Sequence, residues 1–167
     1  MTASTGGPAL AKVGLVRAGR DGEDEETALN QGLAIIGFRD VGDLRAFRSI
    51  DELIATIRRT DPAGREHRAE NRGRQLWAFR EALQPDDTVV LPLKTRSGQI
   101  ALGRASGTYQ FREIGGEKRH TRAVTWVRPD CARTVFQQDL LYSFGAFMTV
   151  CRITRHDAER RVAAVLG

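Results

Sequence analysis

The second half of the chain holds three apolar, strand-like segments in close succession, and this excludes most architectures. Residues 88–94 (TVVLPLK), 99–111 and 121–127 carry extended-chain patterning with no helix-length amphipathic segment between them. Ile100 and Leu102 alternate with Ala101 and Gly103, Tyr109 and Phe111 share one face, and so do Val124 and Trp126. A doubly wound parallel sheet needs a helical crossover between successive strands, so that fold is ruled out. Segment 99–111 pairs naturally with 88–94 as a hairpin, and Gly107 permits a bend or a close backbone approach. Pro92 cannot donate to a ladder, which marks 88–94 as an edge strand or a bulge.

The remaining signals flank this sheet. Residues 12–17 (KVGLVR) and 33–38 read as short strands, with a two-glycine turn at 18–22. Ser49 and Glu52 have capping-box spacing and open a short helix through Leu53, Ile54 and Ile57, which Asp61-Pro62 ends. Residues 66–83 are polar and then amphipathic, with Leu76, Phe79 and Leu83 on one stripe. Residues 136–142 suit one or two helical turns, 146–153 a last strand, and 157–166 a terminal helix. The expected class is α+β: a small, strongly curved sheet or barrel flanked by helices.

A chain of 167 residues fits one domain. Residues 1–11, opening Gly/Ser/Thr-rich, read as a disordered or added lead-in, and 12–167 as the domain. No apolar run approaches the roughly 20 residues of a membrane span, and the opening has neither the basic nor the apolar region of a signal peptide. A cytoplasmic protein with reduced thiols at Cys131 and Cys151 is expected. Two cysteines are too few for a structural zinc site, and His67, His120 and His156 are too scattered to argue for another metal. The net charge is +5, and 23 of the 26 basic residues are Arg. Residues 21–26 (DGEDEE) carry five acids, whereas 94–133 carry nine Lys or Arg against Glu113, Glu117 and Asp130. Such a basic stretch favours an anionic partner.

The order of short motifs is informative: residues 15–19 (LVRAG), 35–38 (IIGF), 71–79 (NRGRQLWAF), 86–90 (DDTVV), 100–103 (IALG), 109–111 (YQF), 120–126 (HTRAVTW), 138–141 (QDLL) and 144–146 (FGA). In this order they resemble the N-terminal domain of Mrr-type restriction system proteins, a member of the PUA superfamily near its EVE and YTH branches. The likeness runs from about residue 13 to about 165. It implies a PUA-like barrel whose pocket accepts a flipped, often modified, nucleobase in double-stranded DNA. It also implies a nuclease domain in cis or in trans as a partner. The family has Trp where this chain has Gly14 and Phe38, which points to a different ligand.

Aromatic platforms can restack an extruded base. Phe38, Trp77, Tyr109, Phe111 and Trp126 are the candidates, while Phe79, Phe136, Phe144 and Phe147 read as core. Trp77 stands off the Leu76/Phe79/Leu83 stripe. Asn71 and Gln75 offer amides to a base edge, or belong to a solvated helix face. Arg17, Arg72, Arg74, Lys118, Arg119, His120 and Arg122 are the candidate phosphate contacts, or charged loops and faces. The 18–22 turn either presents backbone N–H groups to a ligand or is a plain turn. No catalytic motif stands out: Ser143 lacks the first glycine of a nucleophile elbow, and Pro92 stands where a nuclease acid would precede Lys94. The expectation is a modified-DNA reader without cofactor, metal, membrane or enzymatic activity. The alternatives are an RNA-binding module, and an adaptor for protein or a small molecule.

Overall fold

The computed structural model describes residues 10–64 and 66–167. Residues 1–9 of the expected lead-in lie outside the described residues. Six strands and five α-helices follow: β1 (Val13–Val16), α1 (Glu25–Gln31), β2 (Leu33–Ile36), α2 (Ile50–Thr60), α3 (Glu66–Trp77), β3 (Thr88–Pro92), β4 (Gln99–Ile114), β5 (Glu117–Ala132), α4 (Gln138–Phe144), β6 (Val150–Ile153) and α5 (Ala158–Leu166). The class is α+β with one mixed sheet in the order β2-β5-β4-β3-β1-β6. The β1–β3 pair is parallel and every other pair antiparallel. The sheet is open: β2 and β6 are its edges, and among the described residues no ladder joins them.

The capping box is half formed. Ser49 Oγ accepts from Glu52 N at 3.2 Å, but the Glu52 carboxylate accepts from Arg48 N at 3.0 Å, one residue earlier than the full motif requires. Gly73 lets α2 and α3 pack closely, since a Cβ there would meet Ile54 at 2.4 Å. The amphipathic stretch 66–83 changes pitch after Trp77, and Ala78–Ala82 forms a π-turn with Phe79 buried.

Two sequence expectations are corrected. Segment 88–94 is not an edge: β3 lies between β4 and β1, and Pro92 is tolerated because the β1 ladder covers only Thr88, Val89 and Val90. The last strand begins at Val150, so 146–149 form a loop. The acidic stretch 21–26 runs into α1, and three of its five acids are bonded within the fold. Glu23 accepts from the Arg20 and Asp21 amides, Asp24 pairs with Arg119, and Glu25 accepts from the Lys94 and Thr95 amides. The bulge expected at Gly107 is present as a register shift between Ala105 and Tyr109.

Candidate functional site

An open cleft of about 1080 Å³ lies where β1, β2 and β5 end and where the α4–β6 loop turns back. Six bases line it (Arg17, Arg20, Arg39, Arg72, Lys94 and Arg119) against the acids Glu23, Asp24 and Asp40. Phe38 and Phe147 are its aromatic residues.

Phe38 is half-buried and adopts a φ of 57°, a left-handed backbone conformation that costs an L-residue roughly 1–2 kcal/mol. A relay of hydrogen bonds holds it there. The Phe38 carbonyl can only accept, so His120 Nε2, 3.2 Å away, carries the proton and donates to it. Nδ1 of the neutral ring then accepts from the Tyr109 hydroxyl at 2.7 Å, and that hydroxyl accepts from Leu44 N at 3.1 Å. Val41 N donates to the same carbonyl at 3.0 Å. Burial pushes the Tyr109 hydroxyl up to about 12 and holds His120 below the ordinary imidazole range, so both stay neutral near pH 7. Strain fixed by an over-determined surround is a mark of functional sites.

The opposite wall is the 145–149 loop. Arg17 Nη2 donates to the carbonyls of Phe144 and Ala146, both at 2.9 Å. Gln75 Oε1 accepts from Thr149 N at 2.8 Å and Val150 N at 3.1 Å. The loop is fixed on both sides of Phe147, whose ring is fully exposed at 106%. On the third side Arg72 stands 5.9 Å from the Phe38 ring centre and 3.6 Å from Asp40. The floor holds the buried Arg119–Asp24 pair, bonded at 2.6 and 3.0 Å.

Of the expected residues the cleft gathers four: Arg17, Phe38, Arg72 and Arg119. The others have different places and reasons. Arg122 is not a phosphate contact. It is 1% exposed, and its guanidinium donates to the carbonyls of Phe79, Leu83 and Gly107, tying the open end of the π-turn to the β4 bulge. Burial lowers its pKa. His120 and Tyr109 are buried in the relay behind Phe38, and neither lines the cleft. Arg119 keeps its place but is buried and already matched to Asp24. Gln75 is 5% exposed and spends its carbonyl oxygen on the loop.

Trp126 donates its indole N–H to Ala28 O at 2.9 Å, tying α1 to β5. Trp77 is half-buried against the core with Arg80 stacked 4.6 Å above its ring, outside the cleft. Asn71, Arg74 and Lys118 are exposed and lie outside it too. In the 18–22 turn the Arg20 and Asp21 amides go to the Glu23 carboxylate, while Gly19 and Arg20 line the cleft. Gly19, at φ 90°, leaves room for that carboxylate, which a Cβ would strike at 2.4 Å.

Sequence reasoning missed Arg20, Arg39, Lys94 and Phe147, and placed Phe147 in the core. Strand phase gave no signal, since Val150 and Ile153 of β6, on opposite phases, are both buried. Cys131 and Cys151 are unbridged, with both thiols pushed up by burial. Among the described residues no helix is long and apolar enough to cross a membrane, and no group of three or more His, Cys, Asp or Glu is placed to hold a metal.

Fold and site together define an α+β domain built around a cation-lined, aromatic-walled cleft. The chain belongs to the family described as Domain of unknown function (DUF8426), whose model matches residues 12–151. No curated protein and no solved structure shows significant similarity to it.

Proposed function

We propose that the chain is a nucleic-acid reader that takes one nucleotide out of its strand into the cleft between Phe38 and the 145–149 loop. The observation that carries this is the pairing, in one open cleft of about 1080 Å³, of six basic side chains with a strained Phe and a fully exposed one. Guanidinium groups suit phosphates, and flat rings restack a base that has lost its neighbours. The volume is ample for a nucleotide with its flanking phosphates. The reading places base contact at Phe38 and Phe147 and phosphate contact at Arg20, Arg39 and Arg72.

The finer fold belongs to the same proposal, with the open sheet taken as a PUA-like curled sheet. Leu33 and Ile35 of edge strand β2 share a hydrophobic cluster with Leu91 of β3, three strands away. One apolar cluster running across that face, through Ala101 of β4 and Trp126 of β5, suits a sheet curled over its core. Together with the motif order 15–19 to 144–146 this supports the restriction-reader reading. Modified double-stranded DNA is the ligand proposed, and the chain acts by binding, in the cytoplasm, while a nuclease domain in cis or in trans does the cutting.

The test is a fluorescence-anisotropy screen at fixed salt of duplexes carrying methylated, hydroxymethylated and phosphorothioate groups, beside unmodified DNA and structured RNA. One modified duplex is expected to bind at least about tenfold tighter than its unmodified twin. Preference for RNA moves the reading to an RNA-binding module. Absence of binding to every nucleic acid overturns it.

A further inference from the structure

Phe147 is the most exposed large apolar side chain among the described residues, at 106%, yet the backbone on both sides of it is anchored. Arg17 N donates to Thr149 O at 2.8 Å, Arg17 Nη2 holds the carbonyls of Phe144 and Ala146, and Gln75 holds the amides of Thr149 and Val150. A buried amide and a half-buried guanidinium are thus spent on presenting a ring that touches nothing. That is preorganisation of the kind that lowers the ordering cost of binding.

The ring also stands on a divide. Ala146 and Met148 line both the cationic cleft and a second trough of about 550 Å³ on the other side of the loop, which holds Arg152, Arg155 and His156. Both hollows present basic side chains, the trough offering Arg155 beside an Arg152 that meets Glu159 at 3.0 Å, so an anionic strand fits along either flank of the Phe147 crest. A flexible apolar tip over a single hollow would suit many partners. A rigid one between two basic hollows suits a double-stranded polyanion, with phosphates on both sides and an apolar base stack in the middle.

We infer that Phe147 is a wedge for duplex nucleic acid. It enters the base stack and fills the gap left by the nucleotide drawn into the cleft, as apolar side chains do where they separate base steps. This inference rests on the reader function proposed above and adds to it a commitment to duplex over single-stranded ligands. A single strand has no paired gap to fill, so it gains nothing from a wedge, whereas it gains as much as a duplex from a stacking platform.

The experiment measures binding of a short labelled duplex with one central A·C mismatch, which lowers the cost of extrusion, and of the same labelled strand unpaired. Wild type, Phe147→Ala and Phe147→Trp are compared. Because the ring packs against nothing, both variants are expected to keep the wild-type thermal midpoint. Phe147→Ala is expected to weaken duplex binding roughly tenfold or more, to leave single-strand binding within about twofold, and to be rescued by Phe147→Trp. Equal losses on both ligands would make Phe147 a platform and overturn the wedge while leaving the reader intact. Unchanged duplex binding by Phe147→Ala would also overturn it. If wild type binds neither form, the reader and the wedge fall together.

Discussion

Arginine serves two opposite purposes in this molecule, on two sides of the same sheet end. In the interior, Arg122 is buried and saturates backbone carbonyls, and Arg119 is buried and locked to Asp24. On the cleft, Arg20 and Arg39 are exposed and Arg72 lies over Phe38 with a quarter of its side chain accessible. The interior set is spent on holding the π-turn, the β4 bulge and α1 in place. The cleft set faces solvent beside two aromatic rings, and its partners are solvent-exposed carboxylates: Arg39 meets Glu117 at 2.6 Å and Arg72 meets Asp40 at 3.6 Å. Arginine content alone therefore says little about binding: what matters is whether a guanidinium has already found enough acceptors at home.

The largest effect expected on either side of that contrast is at Arg122. Arg122→Ala orphans the carbonyls of Phe79, Leu83 and Gly107 and opens a cavity, so urea denaturation is expected to show a loss of about 3–5 kcal/mol. A loss below about 1 kcal/mol would return Arg122 to the surface set. Tyr109→Phe removes the middle of the relay and leaves the Leu44 amide and His120 Nδ1 unmatched, for an expected cost of about 1–3 kcal/mol by the same measurement.

A smaller effect is expected from pH. Burial holds the His120 imidazole below its ordinary value of 6.5, so the unfolded chain takes up that proton first as pH falls. Stability is then complete above 6.5 and declines below it. His120→Gln, which keeps a donor for the Phe38 carbonyl, is expected to remove that part of the decline. An identical pH profile in wild type and variant would sink the assignment of His120 as a neutral relay.

The smallest effect on stability is expected on the cleft side. Arg72→Ala loses only a half-exposed pair with Asp40, worth about 0–1 kcal/mol. Its signature lies in binding: affinity is expected to fall alike for all sequences, and the slope of log K against log salt to drop by about one. An unchanged slope would move Arg72 into the structural set beside Arg122.

The fold was legible wherever a local period decided it. The stripe Leu76, Phe79 and Leu83, the α2 cap at Ser49 and the succession β3-β4-β5 could all be read from spacing. The strand order could not, because β1 finds its neighbours β3 and β6 only after pairing across most of the chain. Nor could the fate of 21–26, since Asp24 and Glu25 find their partners at Arg119 and Lys94, far along the chain. Within the site, residue type was a fair guide and burial was not. The motif around Arg122 reads as surface charge until the carbonyls that surround it are known, and Phe147 reads as core until the loop that lifts it out is seen.

The central claim is that ligand enters between Phe38 and the 145–149 loop. Backbone amide chemical shifts, followed by NMR during titration with the tightest-binding duplex of the modified panel, test it most directly. The account predicts that the largest changes cluster at Gly19, Phe38, Arg39, Ala146, Phe147 and Met148, with Lys12, Asp86 and Arg104 at the opposite end of the β1-β3-β4 ladders unmoved. Changes confined to that opposite end, or none at the cleft under saturating ligand, would contradict it.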